Sequence, residues 1–132
     1  MTTGHMKLNG INYMTKLKNN NIPKRGEVWY VNFPLEEDES KTLHRPVIVL
    51  EDNEEIVGVL SIKVTKHNPR DEWDYKIFYW EDAKLRMKST ARISKAIYLK
   101  IDMFDKKIGD LNTKDLDNVD KLFNEYIQHL QT

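Results

Sequence analysis

The sequence predicts a small, mainly β domain of the α+β class, in which a strongly bent sheet or barrel carries one C-terminal helix. Two observations support this class. Several short runs of β-branched and aromatic residues are separated by charged or proline-containing segments, as in a sheet of short strands. One stretch near the C-terminus instead repeats apolar residues every three or four positions, which is typical of an amphipathic helix. At 132 residues, with 39% hydrophobic residues, the chain is long enough for one such domain.

The first half of the chain contains three predicted strands. Gly26–Phe33 is rich in β-branched and aromatic residues and is followed by a proline. Pro46–Leu50 is a continuous apolar run whose proline stands at the first position, where a strand tolerates it. Ile56–Thr65 is longer and partly alternating. We expect the second and third strands to pair as a hairpin across the acidic segment between them.

The second half contains two further predicted strands. Tyr75–Trp80 alternates with a period of two, and Ser89–Leu99 repeats apolar residues, including Ile97, on one face. Asp102–Asp110 has no such alternation, so we predict a short connector there.

The two ends of the chain differ in character. Residues 1–21 form a polar extension without the apolar segment of a secretory signal, and its composition is compatible with disorder. The domain itself is assigned to residues 22–132. Within it, the apolar residues from Leu116 to Leu130 predict one helix, with Asn112 or Thr113 as its N-cap.

Composition and charge exclude several classes of protein. The 21 Lys and Arg residues balance the 21 Asp and Glu residues, so this is not a globally basic nucleic-acid binder. The charges are nevertheless segregated, because residues 59–100 hold ten basic and five acidic residues, a net +5. The lack of Cys excludes disulfides and fits a reducing compartment. No apolar run approaches the roughly 18 residues of a membrane span, and we expect a soluble, cytoplasmic protein.

Motifs for metals and cofactors are missing from the sequence. The four histidines, at positions 5, 44, 67 and 129, include no pair four residues apart. Neither a glycine-rich phosphate loop nor a nucleophile elbow occurs. The sequence therefore predicts a site without a metal ion or a cofactor.

Arg45 is the first candidate for chemistry, since it directly precedes the apolar run of the second predicted strand. Its guanidinium offers a fixed fork of donors that suits phosphate oxygens. The alternative interpretation is a surface ion pair with a neighbouring acid such as Glu51 or Asp52.

Thr65 ends the third predicted strand and is followed by a charged loop. Together with Lys66, His67 and Arg70 it offers hydroxyl, ammonium, imidazole and guanidinium groups, a set that can bind a phosphate. Histidine also exchanges a proton near neutral pH. Trp73, in the same loop, is a candidate for an exposed contact with an unpaired base. The alternative is a threonine chosen for its β propensity beside a solvated loop.

The order of these motifs resembles the PemK/MazF family of toxin endoribonucleases, over roughly residues 23–130. The matching stretches, in order, are Lys24–Trp29 (KRGEVW), Arg45–Leu50 (RPVIVL), Thr65, Ser89–Ile93 (STARI), Ile108–Leu111 (IGDL) and the closing helix. This resemblance implies an SH3-like β-barrel with a C-terminal helix, usually as a homodimer. It also implies inhibition by a cognate antitoxin that covers the RNA groove.

The activity implied by the resemblance is metal-independent cleavage of single-stranded RNA, often mRNA, by attack of the ribose 2′-OH on its own 3′ phosphate. Arg45 corresponds to the family's arginine before proline, which acts in proton transfer and in stabilising the phosphate. Thr65 corresponds to its strand-end threonine, which stabilises the scissile phosphate. Because a guanidinium does not lose its proton near neutrality, His67 is a second candidate for the base.

The predicted RNA-binding residues are Lys66, Arg70, Trp73 and Arg92. Two other functions remain open at this stage. A gyrase-poisoning toxin would share the same fold, and a non-catalytic SH3-like module would bind RNA or a peptide without cutting it.

Overall fold

The computed structural model describes residues 22–34, 37–38, 40–52 and 58–132. The elements are β1 (Glu27–Pro34), β2 (Thr42–Asp52), β3 (Val59–Thr65), β4 (Asp74–Lys76), β5 (Thr90–Leu99), a 3-10 turn (Ile101–Met103), β6 (Phe104–Asp110) and α1 (Thr113–Gln131). The six strands form one antiparallel sheet in the order β4-β5-β3-β2-β1-β6.

The predicted class, a mainly β domain with a C-terminal helix, is confirmed. The hydrogen-bonded sheet is not closed, because β4 and β6 are its two edges. The predicted extension at residues 1–21 lies outside the described residues, as do residues 56–57 at the start of the third predicted strand.

The predicted hairpin is confirmed, since β2 pairs antiparallel with β3. Alternate residues of β2 are buried in two different hydrophobic clusters. Val47 and Val49 belong to one cluster, and Ile48 and Leu50 belong to the other. A strand that is buried on both faces has apolar residues at consecutive positions, which explains the continuous apolar run in the sequence. The centre of the sheet is therefore a rigid base for residues at the ends of its strands.

The helix packs on one of these two clusters. Its apolar residues Leu116, Phe123 and Tyr126 contact the cluster that contains Ile48. The N-cap is Asn112, whose side chain accepts a hydrogen bond from the backbone N–H of Lys114 at 2.9 Å. No helix in the described part of the chain is long and apolar enough to cross a membrane.

Strand β5 agrees with the predicted strand Ser89–Leu99, but one of its residues does not face the core. Ile97 was predicted on the buried face and is 38% exposed. The pairing of β5 with β3 shifts in register between Ser61 and Lys63, and this irregularity breaks the period-two alternation.

The predicted strand Tyr75–Trp80 is wrong beyond its first residues, because only the short strand β4 forms before the chain turns. The cause is the buried carboxylate of Asp115, at the start of the helix. It accepts hydrogen bonds from the Tyr75 hydroxyl at 2.6 Å and from the backbone N–H groups of Phe78 and Tyr79 at 3.0 and 2.8 Å. These N–H groups are used by the helix and not by a strand ladder.

The predicted connector Asp102–Asp110 is also wrong, because it contains the 3-10 turn and strand β6, which pairs with β1. The sequence hides this edge strand, since residues 105–107 are charged and exposed and give no apolar alternation. Gly109 is required for packing here. A Cβ at this position would lie 2.4 Å from the carbonyl oxygen of Ala83, on the turn that follows β4.

Candidate active site

A cleft of about 840 Å³ lies where β2 begins and β3 ends. Its walls come from the C-terminal end of β1, from β2, β3 and β5, from the loop after β3 and from the segment that precedes β5. The residues on it include six of the seven predicted site residues, namely Arg45, Thr65, Lys66, His67, Arg70 and Arg92.

Arg45 and Thr65 are brought together by the pairing of β2 with β3. Val47 is the register partner of Lys63 in this antiparallel pair. The same register, continued two residues beyond the paired ladder, sets Arg45 across from Thr65. Both side chains line the cleft. The family resemblance rests on the order of Arg45 and Thr65 along the chain. The pairing of the strands shows that the two residues also lie close together in the fold.

The guanidinium of Arg45 is not committed to a carboxylate. It is exposed, and its Nη1 donates a hydrogen bond to the carbonyl oxygen of His44 at 3.3 Å. No ion pair joins it to an acidic side chain among the described residues, which include Glu51. The surface ion pair with Glu51, one of the alternatives from the sequence, is therefore not formed. An anion in the cleft can use the remaining donors of the fork.

Thr65 and its register partner Thr90 hold the start of the charged loop against the sheet. The Thr65 hydroxyl oxygen accepts a hydrogen bond from the backbone N–H of His67 at 3.3 Å. The Thr90 hydroxyl donates to the carbonyl oxygen of His67 at 2.6 Å. The backbone of His67 is thereby fixed on both sides, while its exposed side chain remains on the cleft.

Arg92 lines the cleft but already has an acidic partner. Its Nε lies 3.3 Å from Oδ1 of Asp74, a carboxylate whose side chain is 1% exposed. The second oxygen of Asp74 accepts a hydrogen bond from the backbone N–H of Arg70 at 3.0 Å. Asp74 therefore ties the charged loop to β5, and Arg92 contributes less net charge to the cleft than Arg70, whose side chain is exposed.

Trp73 is the predicted site residue that the fold does not bring to the cleft. Its ring lies 5.2 Å from the rings of both Tyr126 and His129, on the helix. The aromatic rings that line the cleft are those of Phe33, Tyr30 and the two histidines at positions 44 and 67. The predicted contact between Trp73 and RNA is thus separate from this site.

The cleft is strongly basic. Among its described lining residues, Glu37 is the single acid, against seven basic side chains: Arg45, Lys63, Lys66, Arg70, Arg86, Arg92 and Lys95. The Lys63 ammonium lies 5.0 Å from the centre of the Phe33 ring. A charged cleft that also offers exposed apolar and aromatic surface suits a ligand with both phosphates and bases.

His44 is a cleft residue that the sequence reasoning missed. Its ring stacks on that of Tyr30, with centroids 4.4 Å apart and planes inclined by 17°. Its Nε2 lies 3.0 Å from Oδ2 of Asp105, an ion-pairing distance when the imidazole is protonated. The sequence offers one local indication of this role, because His44 directly precedes Arg45 on the same strand. Both of its ring partners, however, belong to other strands.

Within the four described ranges of the chain, no group of three or more His, Asp or Glu side chains is arranged to hold a metal ion. The predicted lack of a metal ion and a cofactor stays a prediction.

Comparisons with known proteins bear on the fold and the family. A profile described as "PemK-like, MazF-like toxin of type II toxin-antitoxin system" matches residues 24–127 of the 132-residue chain. A search of curated protein sequences found no match.

Several solved structures share the fold at low sequence identity. A mycobacterial endoribonuclease in complex with its cognate antitoxin is 10% identical, with a TM-score of 0.65 over 80% of this chain and 95% of that one. The MazE-MazF complex from Deinococcus radiodurans is 14% identical, with a TM-score of 0.65 over 81% and 97%. The Mycobacterium tuberculosis toxin MazF-mt6 is also 14% identical, with a TM-score of 0.58 over 77% and 96%. At these identities the likeness establishes the fold.

Proposed function

Because the chain belongs to the PemK-like, MazF-like family of type II toxin–antitoxin toxins, we propose that it is an endoribonuclease that cleaves single-stranded RNA without a metal ion. The reaction is attack of a ribose 2′-OH on the adjacent 3′ phosphorus, with loss of the 5′ oxygen. The products are a 2′,3′-cyclic phosphate and a 5′-hydroxyl. We propose further that it acts on mRNA in the cytoplasm.

The observation that carries this proposal is the convergence of Arg45 and Thr65 on one basic cleft. Transesterification needs positive charge on the phosphate, a group that accepts the 2′-OH proton, and a donor to the leaving oxygen. The guanidinium of Arg45, without a described acidic partner, suits the two non-bridging phosphate oxygens. The Thr65 hydroxyl supplies a neutral donor beside it. His67 is the proton-exchanging group on the loop wall.

The experiment is cleavage of a long single-stranded RNA by the purified chain in excess EDTA, followed by analysis of both new ends. The expected result is discrete cuts with cyclic phosphate and 5′-hydroxyl ends, lost in Arg45→Ala and retained in His129→Ala, which changes a histidine outside the cleft. RNA that is bound but left intact would favour the non-catalytic module. Inhibition of gyrase without RNA cleavage would favour the gyrase poison.

We also propose that the toxin is a homodimer and that a cognate antitoxin neutralises it by laying an acidic segment into the basic cleft. The excess of basic over acidic residues on the lining supports the second part. Sedimentation tests the first part, and a single species of the 15.7 kDa chain mass would contradict it. Poly-L-glutamate serves as a probe for the second. We expect it to displace labelled RNA at low salt, and failure to compete would contradict a shared surface.

A further inference from the structure

His44, Tyr30 and Asp105 form a side-chain cluster that crosses three neighbouring strands beside the cleft. His44 is on β2, Tyr30 is on β1 between the other two strands, and Asp105 is on β6. The Tyr30 ring supports one face of the imidazole, and the Asp105 carboxylate holds its Nε2. Asp105 itself is not on the cleft, whereas Tyr30 and His44 are. The cluster thus reaches from the edge strand β6 to the lining of the cleft.

We propose that His44 is the general base of the RNA cleavage and that Asp105 is its positioning residue. This inference rests on the proposed function, since it assigns a role within that reaction. The carboxylate selects the tautomer in which Nε2 carries the hydrogen and donates it to Asp105 Oδ2 at 3.0 Å. Nδ1 then holds the lone pair, and it has no hydrogen-bond partner in the part of the chain that the structure describes. Such a pair also stabilises the imidazolium that forms when the base takes a proton.

His67 has the weaker claim to the same role. Its hydrogen bonds among the described residues are made by its backbone, to Thr65 and Thr90, and its ring has no carboxylate beside it there. Its own loop adds the cations Lys66 and Arg70 to the cleft. We assign the acid role, protonation of the leaving 5′ oxygen, to His67, which lines the same cleft.

O2′ forms a bond to phosphorus while its proton passes to Nδ1 of His44. The bond from phosphorus to O5′ breaks, and the leaving oxygen takes a proton from the protonated ring of His67. Arg45 and Thr65 stabilise the charge on the non-bridging oxygens. After product release the two histidines exchange their protons with solvent and regain their starting states.

The first test compares His44→Ala with His129→Ala, which removes a histidine outside the cleft whose ring also contacts an aromatic ring, that of Trp73. We expect His44→Ala to lower kcat by about 100-fold or more, with unchanged circular dichroism. Its affinity for a non-cleavable 2′-deoxy oligonucleotide should stay within about three-fold of wild type. Added imidazole should restore part of the rate. Wild-type kcat in His44→Ala would overturn the proposal. Absence of cleavage by the wild type would instead overturn the proposed function.

A substrate with sulfur in place of the bridging 5′ oxygen separates the two roles. A thiolate leaves without a proton, so the donor is dispensable and the base is still needed. We expect His44→Ala to remain slow on this substrate and His67→Ala to regain most of the wild-type rate. If His44→Ala is the variant that recovers, His44 is the acid and the proposal is wrong.

Asp105→Asn tests the positioning role. We expect kcat to fall about ten-fold with KM unchanged, and Asp105→Glu to recover part of the loss. Because Asp105 acts through His44, the double variant His44→Ala/Asp105→Asn should be no slower than His44→Ala alone. Additive losses in the double variant would contradict a role through His44.

Discussion

Asp115 joins the helix to the turn that follows β4, and its removal tests whether this single carboxylate shapes that turn. The residue is 0% exposed. Both of its oxygens are used, Oδ1 by the Tyr75 hydroxyl and the Phe78 N–H, and Oδ2 by the Tyr79 N–H. Asp115→Ala removes all three bonds. Asp115→Asn keeps an acceptor for the first two but turns an amide N–H towards Tyr79.

The size of the effect follows from these contacts. A hydrogen bond to a charged group contributes about 1.5 kcal/mol or more, so three sum to about 4–5 kcal/mol. Water recovers some of this, because Phe78 is exposed and its N–H can be solvated. We therefore expect Asp115→Ala to lower the free energy of unfolding by about 3–4 kcal/mol. Asp115→Asn loses one acceptor and should cost about 1–2 kcal/mol.

Urea denaturation followed by tryptophan fluorescence measures these losses. With a denaturant slope of about 1.5–2 kcal/mol/M, Asp115→Ala should lower the midpoint by about 2 M. The matched control is Asp117→Ala, which removes an exposed carboxylate two residues further along the same helix. It should change the free energy of unfolding by less than about 1 kcal/mol. Equal losses for the two variants would refute the role assigned to Asp115.

Three further predictions concern the cleft, an ionisable tyrosine and the packing of β6. Arg45→Ala should lower the rate of RNA cleavage by about 100-fold or more and Thr65→Ala by less, because a neutral donor is weaker than a charged one; a normal rate in Arg45→Ala would reject its assignment. Burial, and secondly the hydrogen bond to the buried carboxylate, raise the pKa of Tyr75 to about 12 from 10.0. The unfolded chain therefore loses this proton first, and stability should fall as pH rises from about 10 to about 12. The urea midpoint should fall less steeply with pH in Tyr75→Phe than in the wild type. Identical dependence of the midpoint on pH in the two proteins would contradict the raised pKa of Tyr75. Gly109→Ala forces a Cβ to within 2.4 Å of the Ala83 carbonyl oxygen. It should lower the free energy of unfolding, measured by the same assay, by about 2–3 kcal/mol. A loss below about 0.5 kcal/mol would show that the turn can move to accommodate the methyl group.

The parts of the fold that sequence could predict are those whose pattern is local. Strand β2 is buried on both faces, so its apolar run is continuous and easily recognised. The helix carries its own periodicity and its own N-cap, Asn112. Strand β6 is an edge strand with charged residues at 105–107, and only its partner β1 makes it a strand. The turn after β4 depends on Asp115, which lies far along the chain. Its carboxylate accepts hydrogen bonds from the backbone N–H groups of Phe78 and Tyr79. The alternating aromatic pattern had predicted that these N–H groups pair with a neighbouring strand.

The candidate site divides in the same way. Arg45 and Thr65 could be singled out because Arg45 directly precedes a recognisable apolar run and Thr65 ends the next strand, and the family order of motifs connects them. Arg92 could be placed near the site, but its partner Asp74 could not be seen without the pairing of β4 with β5. His44 gains its significance from Tyr30 and Asp105 on two other strands, which no spacing along the chain reveals.

The proposed reaction in this cleft uses the substrate's own 2′-hydroxyl as the nucleophile. The most direct measurement uses one short RNA whose cut site has been mapped, compared with the same RNA carrying a single deoxyribose on the 5′ side of the scissile phosphate. We expect the second RNA to be bound with similar affinity in EDTA and not to be cleaved at that position. Cleavage of the deoxy-substituted RNA at the mapped site would mean that another nucleophile attacks the phosphate, and it would rule out the 2′-hydroxyl mechanism.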